Sequence, residues 1–348
     1  MTVKQSSLFI GMYEQYVSFE SDEKCEIMYI KDEYKDWIID GISEVGWHVK
    51  SVVDLEEYNL LKKINYSPYI IFRACPAHIS FFENMCVIYC DDIFENYILV
   101  VKQNEHQVLV VKKCVTTNKR EIRIIGHIIN EIIALNSYFM GYKKVHAAAC
   151  QINGRGVLIQ GEKRAGKTTL LTQLLLNGAL FLNNDITRIF EKSIDDFEIY
   201  AWPSKVNIGL GTLNDCETLK ENLLNISPNF DEMIFNPDDD KWEFSRNYFV
   251  SSMKVKKILS SKLTCIIKPC FSINNRKCII EQINEFDWND ILSPICDTWL
   301  PIIDSRCFDI ENNSFNFKTS RIPIYKFEYG PSYTNPGKYI CEFISRHF

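Results

Sequence analysis

The chain has 348 residues, enough for one large or two ordinary domains with a buried core. Its 46% hydrophobic and 24% charged residues are the balance of a globular protein, and a net charge of -6 argues against the basic face of a dedicated nucleic-acid binder. No basic stretch followed by an apolar run opens the sequence, and nothing approaches about 18 consecutive apolar residues, so the expectation is a cytoplasmic protein with no membrane partner.

Thirteen cysteines are scattered along the chain, none in a Cys-x-x-Cys pair. Cys86 and Cys90 come closest and sit in an apolar run, which reads as small buried hydrophobes in a reducing compartment. The histidines show no ligand-like spacing to them, so a zinc site is not expected.

Residues 1–125 read as a β-rich recognition domain. Alternation and β-branched content predict strands over 7–12, 16–20, 25–30, 69–74, 85–89, 97–102 and 108–113. A helix is predicted over 34–45 from the spacing of Trp37, Ile38, Ile42 and Val45, closed by Gly46. Arg73, Cys75 and His78 around Pro76 read as a turn with core-lining residues. Residues 126–144 read as a connecting helix, with Ile128, Ile129, Ile132, Ile133 and Leu135 striping one side and Gly141 as a stop.

Residues 145–348 form the third segment. Two strand-like runs flank Asn153-Gly154, a dipeptide suited to a type I′ hairpin turn. The second run, Gly156 to Ile159, enters Gly161-Glu162-Lys163-Arg164-Ala165-Gly166-Lys167-Thr168-Thr169, which matches the phosphate-binding pattern G-x-x-x-x-G-K-[ST]. Glycines let consecutive N–H groups curl inward around phosphate oxygens. Lys167 supplies charge for the outer phosphates and Thr168 an oxygen for Mg²⁺. The leucine-rich helix that follows adds its positive end, and Asn177-Gly178 stops it. A buried strand over 179–182 then runs into Asn183-Asn184-Asp185, the usual place for a second Mg²⁺ contact.

Strands are also predicted over 197–201 and 206–208, and a plain tight turn at 208–212. Residues 227–247 read as an exposed loop whose three aspartates, 238–240, are solvated. Strand-like runs over 255–267, a helical stretch over 286–300 and an alternating strand over 323–330 complete the pattern.

From His146 to Ile189 the sequence resembles the HPr kinase/phosphorylase superfamily: a histidine opening a strand, a hairpin turn, Gly156–Ile159, the phosphate loop, its helix, Asn177-Gly178 and an apolar strand ending at Asp185. Tyr325-x-Phe327-x-Tyr329-Gly330 is similar to the ending of stand-alone relatives, among them the lasso-peptide tailoring kinases. The resemblance implies an α/β (α+β overall) fold, a P-loop kinase domain of the HPr kinase and PEP carboxykinase-like type. It implies ATP and Mg²⁺ as cofactors, Lys167 and Thr168 on the phosphates and metal, Asp185 on the metal and His146 near the transferred phosphoryl group. A peptide or small-protein acceptor follows from the same resemblance, as does a homo-oligomer.

One departure stands out. Members usually end the strand in two aspartates, the first a base, whereas this chain has Asn184-Asp185. Either Asp185 does both jobs, a base comes from elsewhere or transfer is impaired, so restoring the pair by Asn184→Asp is expected to raise turnover unless Asp185 or His146 already serves. Lys163 and Arg164 also replace the small residues usual in the loop. The alternatives are a nucleotide-binding switch or scaffold without transfer, and a small-molecule kinase.

Overall fold

The computed structural model describes residues 6–40, 46–71, 75–89, 97–116, 119–214, 216–224, 233–236, 240–272, 277–283, 322–330 and 335–348. These form a mixed α/β protein with several sheets, in two compact units that divide between residues 140 and 141.

In the first unit, β1 (Ser6–Met12) and β2 (Gln15–Ser21) form an antiparallel pair that buries Ile10, Val17 and Phe19. Next comes a helix, α1 (Lys24–Glu33), where alternation predicts a strand over 25–30. Its buried positions Glu26, Ile30 and Glu33 fall at i, i+4 and i+7, the helical period, so two glutamates carry the stripe. Glu26 tolerates burial because its carboxylate accepts from Lys112 Nζ at 2.6 Å and from Ser21 Oγ at 2.6 Å. The helix predicted over 34–45 is replaced by β3 (Ile38–Ile39), which pairs with Phe9 and Ile10; residues 41–45 lie outside the described residues.

Then follow β4 (Trp47–Val53) and α2 (Leu55–Leu61), neither predicted, with Asp54 capping α2 through Glu57 N. A meander of β5 (Ser67–Ile71), β6 (Cys75–Phe82), β7 (Met85–Tyr89), β8 (Tyr97–Lys102) and β9 (Gln107–Lys112) completes a nine-stranded sheet in the order β3-β1-β2-β4-β9-β8-β7-β6-β5. The turn expected around Pro76 is strand instead: Pro76 lies opposite Ile70 in β6, while Arg73 lies outside the described residues. Helix α3 (Lys119–Phe139) starts before residue 126 and packs on α1, β2 and β4.

In the second unit, β10 (Lys143–Val145) precedes the predicted hairpin of β11 (Ala148–Ile152) and β12 (Arg155–Ile159). Its turn residues Asn153 and Gly154 have φ of 49° and 82°, both positive, as the type I′ turn requires. Helix α4 (Lys167–Leu176), β13 (Leu180–Asn183), β14 (Thr187–Ser193) and β15 (Asp196–Tyr200) follow. A long strand, β19 (Ser260–Phe271), joins them in the order β10-β14-β15-β19-β12-β11-β13. It also pairs in parallel with β21 (Ile324–Tyr329), and β20 (Ile279–Ile283) flanks β21. Because β12, β19 and β21 run parallel, their carboxyl ends gather at Ile159, Phe271 and Tyr329, the end of a parallel sheet where ligands bind.

The loop expected over 227–247 is part of a small sheet instead. Strands β16 (Val206–Gly209), β17 (Met233–Asn236) and β18 (Lys241–Phe244) pair in the order β16-β18-β17, and Phe244 is fully buried. The turn expected at 208–212 becomes the start of α5 (Leu210–Asn214), followed by α6 (Glu217–Leu224) and α7 (Arg246–Ser252). Asp238 and Asp239 lie outside the described residues, as does the helical stretch predicted over 286–300.

A terminal helix, α8 (Pro336–His347), lies against α4. Gly337 makes that approach possible, since a Cβ there would stand 2.4 Å from the Gln173 carbonyl oxygen. Asn335 caps α8 through Lys338 N and accepts from Asn177 Nδ2 at 2.9 Å, tying the start of α8 to the end of α4. Leu170, Leu174, Ile159, Ile267, Phe327, Ile340 and Ile344 share the core beneath. Each contributes roughly 1.5–3 kcal/mol of burial and fixes the helix that leads out of the phosphate loop. Among the described residues no helix is long and apolar enough to cross a membrane.

Candidate phosphate-binding site

The loop leaves β12 just after Gln160, whose N–H donates to Ile267 O of β19 at 2.9 Å. A turn then closes through Ala165 N to Glu162 O at 3.1 Å. Arg164 and Gly166 both take left-handed conformations, φ 70° and 93°, so the backbone reverses curvature within the loop and forms an anion-receiving concavity. At Gly166 only glycine fits comfortably: its φ is unfavourable for other residues, and a Cβ would sit 2.8 Å from Tyr329 Oη. The end of β21 thus supports the loop. Helix α4 starts at once with Lys167, presenting its free N–H groups to the same space.

Lys167 is 8% exposed, and its Nζ donates to Gly161 O at 2.7 Å and Glu162 O at 3.1 Å. The ammonium is therefore folded across the loop. Burial holds it below its ordinary pKa and Lys241 lowers it further, while Asp185 opposes both. Thr168 is partly exposed at the start of α4, and Thr169 Oγ1 shares a 2.8 Å hydrogen bond with Thr212 Oγ1 of α5. Glu162, Lys163 and Arg164 are exposed on the loop.

Asp185 follows β13, whose end is heavily anchored. Arg246 of α7 donates from Nη1 to Leu182 O at 2.6 Å and to Asn183 Oδ1 at 3.0 Å. Asn184, 3% exposed, donates from Nδ2 to Asn207 O of β16 at 3.0 Å. With its neighbours held, Asp185 keeps a partly exposed carboxylate whose Oδ1 lies 3.4 Å from His146 Nε2. His146 stands half-buried in the link between β10 and β11. Burial is the largest influence on its imidazole and depresses its pKa; Asp185 pulls it up, and Lys167, Lys241 and Lys144 push it down again.

His146, Lys167 and Asp185, far apart in sequence, are therefore neighbours at one end of the parallel strands. Lys241, Asn207, Thr212, Arg246 and Tyr329 join them and were not singled out from sequence. Four of these come from segments with no motif. Tyr329 lies in a strand that was recognised but not linked to the loop.

The donors suit a hard cation that brings its own ligands. Thr168 and Asp185 offer oxygen, and among the described residues no three His, Cys, Asp or Glu side chains cluster as an all-protein metal site would require. Mg²⁺ is commonly held this way, by one or two protein oxygens with phosphate and water completing the shell.

No protein-family model matches the chain, and no curated protein matches it. Among solved structures it is similar to the Hpr(Ser) kinase/phosphatase from Coxiella burnetii, at 11% identity and a TM-score of 0.28, over 59% of this chain and 95% of that one. At that score the likeness carries no argument, and function has to be read from the site itself.

Proposed function

We propose that the chain is an ATP- and Mg²⁺-dependent kinase that moves the γ-phosphoryl group to a serine-type hydroxyl of a peptide or small protein. The observation that carries this reading is the convergence of His146 and Asp185, 3.4 Å apart, on a loop whose lysine is buried across it. The loop N–H groups and the start of α4 would bind the phosphates, and Lys167 would neutralise charge on the outer ones. Mg²⁺, held by Thr168 and Asp185, would supply further neutralisation between the phosphates. The acceptor oxygen bonds to the γ-phosphorus as the bridging oxygen leaves with the diphosphate, and the hydroxyl proton passes to the His146–Asp185 pair. Such a transfer asks mainly for positioning and charge, so the His146–Asp185 pair can serve in place of a dedicated second aspartate.

The recognition sheet supports a peptide acceptor. Among the described residues its order ends on β3 and β5, and a terminal strand is where an extended peptide adds. The asparagine at 184 supports the second reading, nucleotide binding without transfer.

The test is incubation with γ-labelled ATP, Mg²⁺ and a peptide encoded beside the gene, read by mass. The parent should add one phosphate, and Asp185→Ala should add none. A parent that binds the nucleotide but modifies no acceptor favours the scaffold reading.

A further inference from the structure

The small sheet β16-β18-β17 is fastened to the phosphate site at two points outside the loop motif. Asn207 O in β16 holds the Asn184 amide beside Asp185, and Thr212 of α5 holds Thr169 in the loop helix. The turn before β18 is tied to the same place, because Asp240 O accepts from Leu210 N at 3.0 Å. Asp240 has φ 52°, a left-handed turn residue, and the next residue, Lys241, opens β18 opposite Gly209. The first side chain of β18 is thereby brought to the edge of the site.

Lys241 is partly exposed, and it pairs with Gly209, two residues from the Asn207 that holds Asn184 and three from the Thr212 that holds Thr169. Bringing a second lysine toward a buried one is unfavourable unless an anion joins them, and the Asp185 carboxylate is already taken up by His146 at 3.4 Å.

We propose that Lys241 is a second lysine of the nucleotide site, contacting the terminal phosphoryl group of a bound triphosphate. This rests on the nucleotide-binding reading above. Lys167 is fixed to the loop and faces the phosphates from their cradle, whereas Lys241 comes from a separate sheet and reaches the His146 side. Its charge is complemented by the third phosphate, so it should distinguish triphosphate from diphosphate.

The experiment is calorimetric titration of the full chain with the non-hydrolysable analogue AMP-PNP and with ADP, each with Mg²⁺, for the parent and for Lys241→Met, Lys241→Gln and Lys241→Arg. The parent should prefer the triphosphate. The two neutral variants should lose about 10- to 100-fold of that preference, the worth of one charge-assisted contact, with ADP affinity unchanged. Lys241→Arg should retain most of it. A merely structural lysine would weaken both nucleotides together or neither. An unchanged triphosphate-to-diphosphate ratio in both neutral variants overturns the Lys241 assignment alone, whereas a parent that binds neither nucleotide overturns the site reading with it.

Discussion

Asn184 shows how a single atom changes the meaning of a motif. Set against the two aspartates of the family it resembles, the residue reads as a lost base, and restoring the aspartate is expected to raise turnover. The structure gives the residue a second role, in packing. Asn184 is almost fully buried, and its Nδ2 donates to the Asn207 carbonyl at 3.0 Å, a bond that only a donor can make. A carboxylate in its place would turn an oxygen toward that carbonyl and bury a charge. Asn184→Asp should therefore lower unfolding stability by about 1–3 kcal/mol and leave turnover no higher than the parent's, as read by chemical denaturation and a phosphotransfer assay. A variant of parental stability and greater turnover would show that the position is a vacant base site.

At the scale of elements, what was legible followed the strength of the local signal. The hairpin with its Asn-Gly turn, the phosphate loop, α4 and β21 were read close to where they lie, because turn chemistry and motif spacing act within a few residues. Helix α1 was not, since its buried stripe runs through Glu26 and Glu33, and a glutamate declares itself as core only once Lys112, distant in sequence, is beside it. Strand β18 was lost in a polar segment where only Trp242 and Phe244 alternate. Helix α8 carried a start signal in Asn335-Pro336, but its packing depends on Gly337, whose role appears only against α4. That contact gives a prediction. Gly337→Ala places a methyl group 2.4 Å from a backbone oxygen in α4, so the helices must part, costing about 1–3 kcal/mol in denaturation. Unchanged stability would mean that α8 does not seat on α4 this closely.

For the molecule as a whole, the site residues all belong to the second unit, drawn from the β10–β11 link, the loop, the end of β13 and the small sheet. The loop alone was visible in sequence as a phosphate binder. Its electrostatic setting was not, because Lys144 and Lys241 come from separate segments of an acidic chain. The claim on which the account depends is that this setting binds a nucleotide with Mg²⁺, and calorimetric titration of the parent and Lys167→Ala with AMP-PNP and Mg²⁺ tests it most directly. The account predicts saturable binding by the parent, weakened in the variant by about 2–3 kcal/mol, a roughly 30- to 150-fold rise in Kd. No binding by the parent, or equal affinity in both proteins, would contradict it.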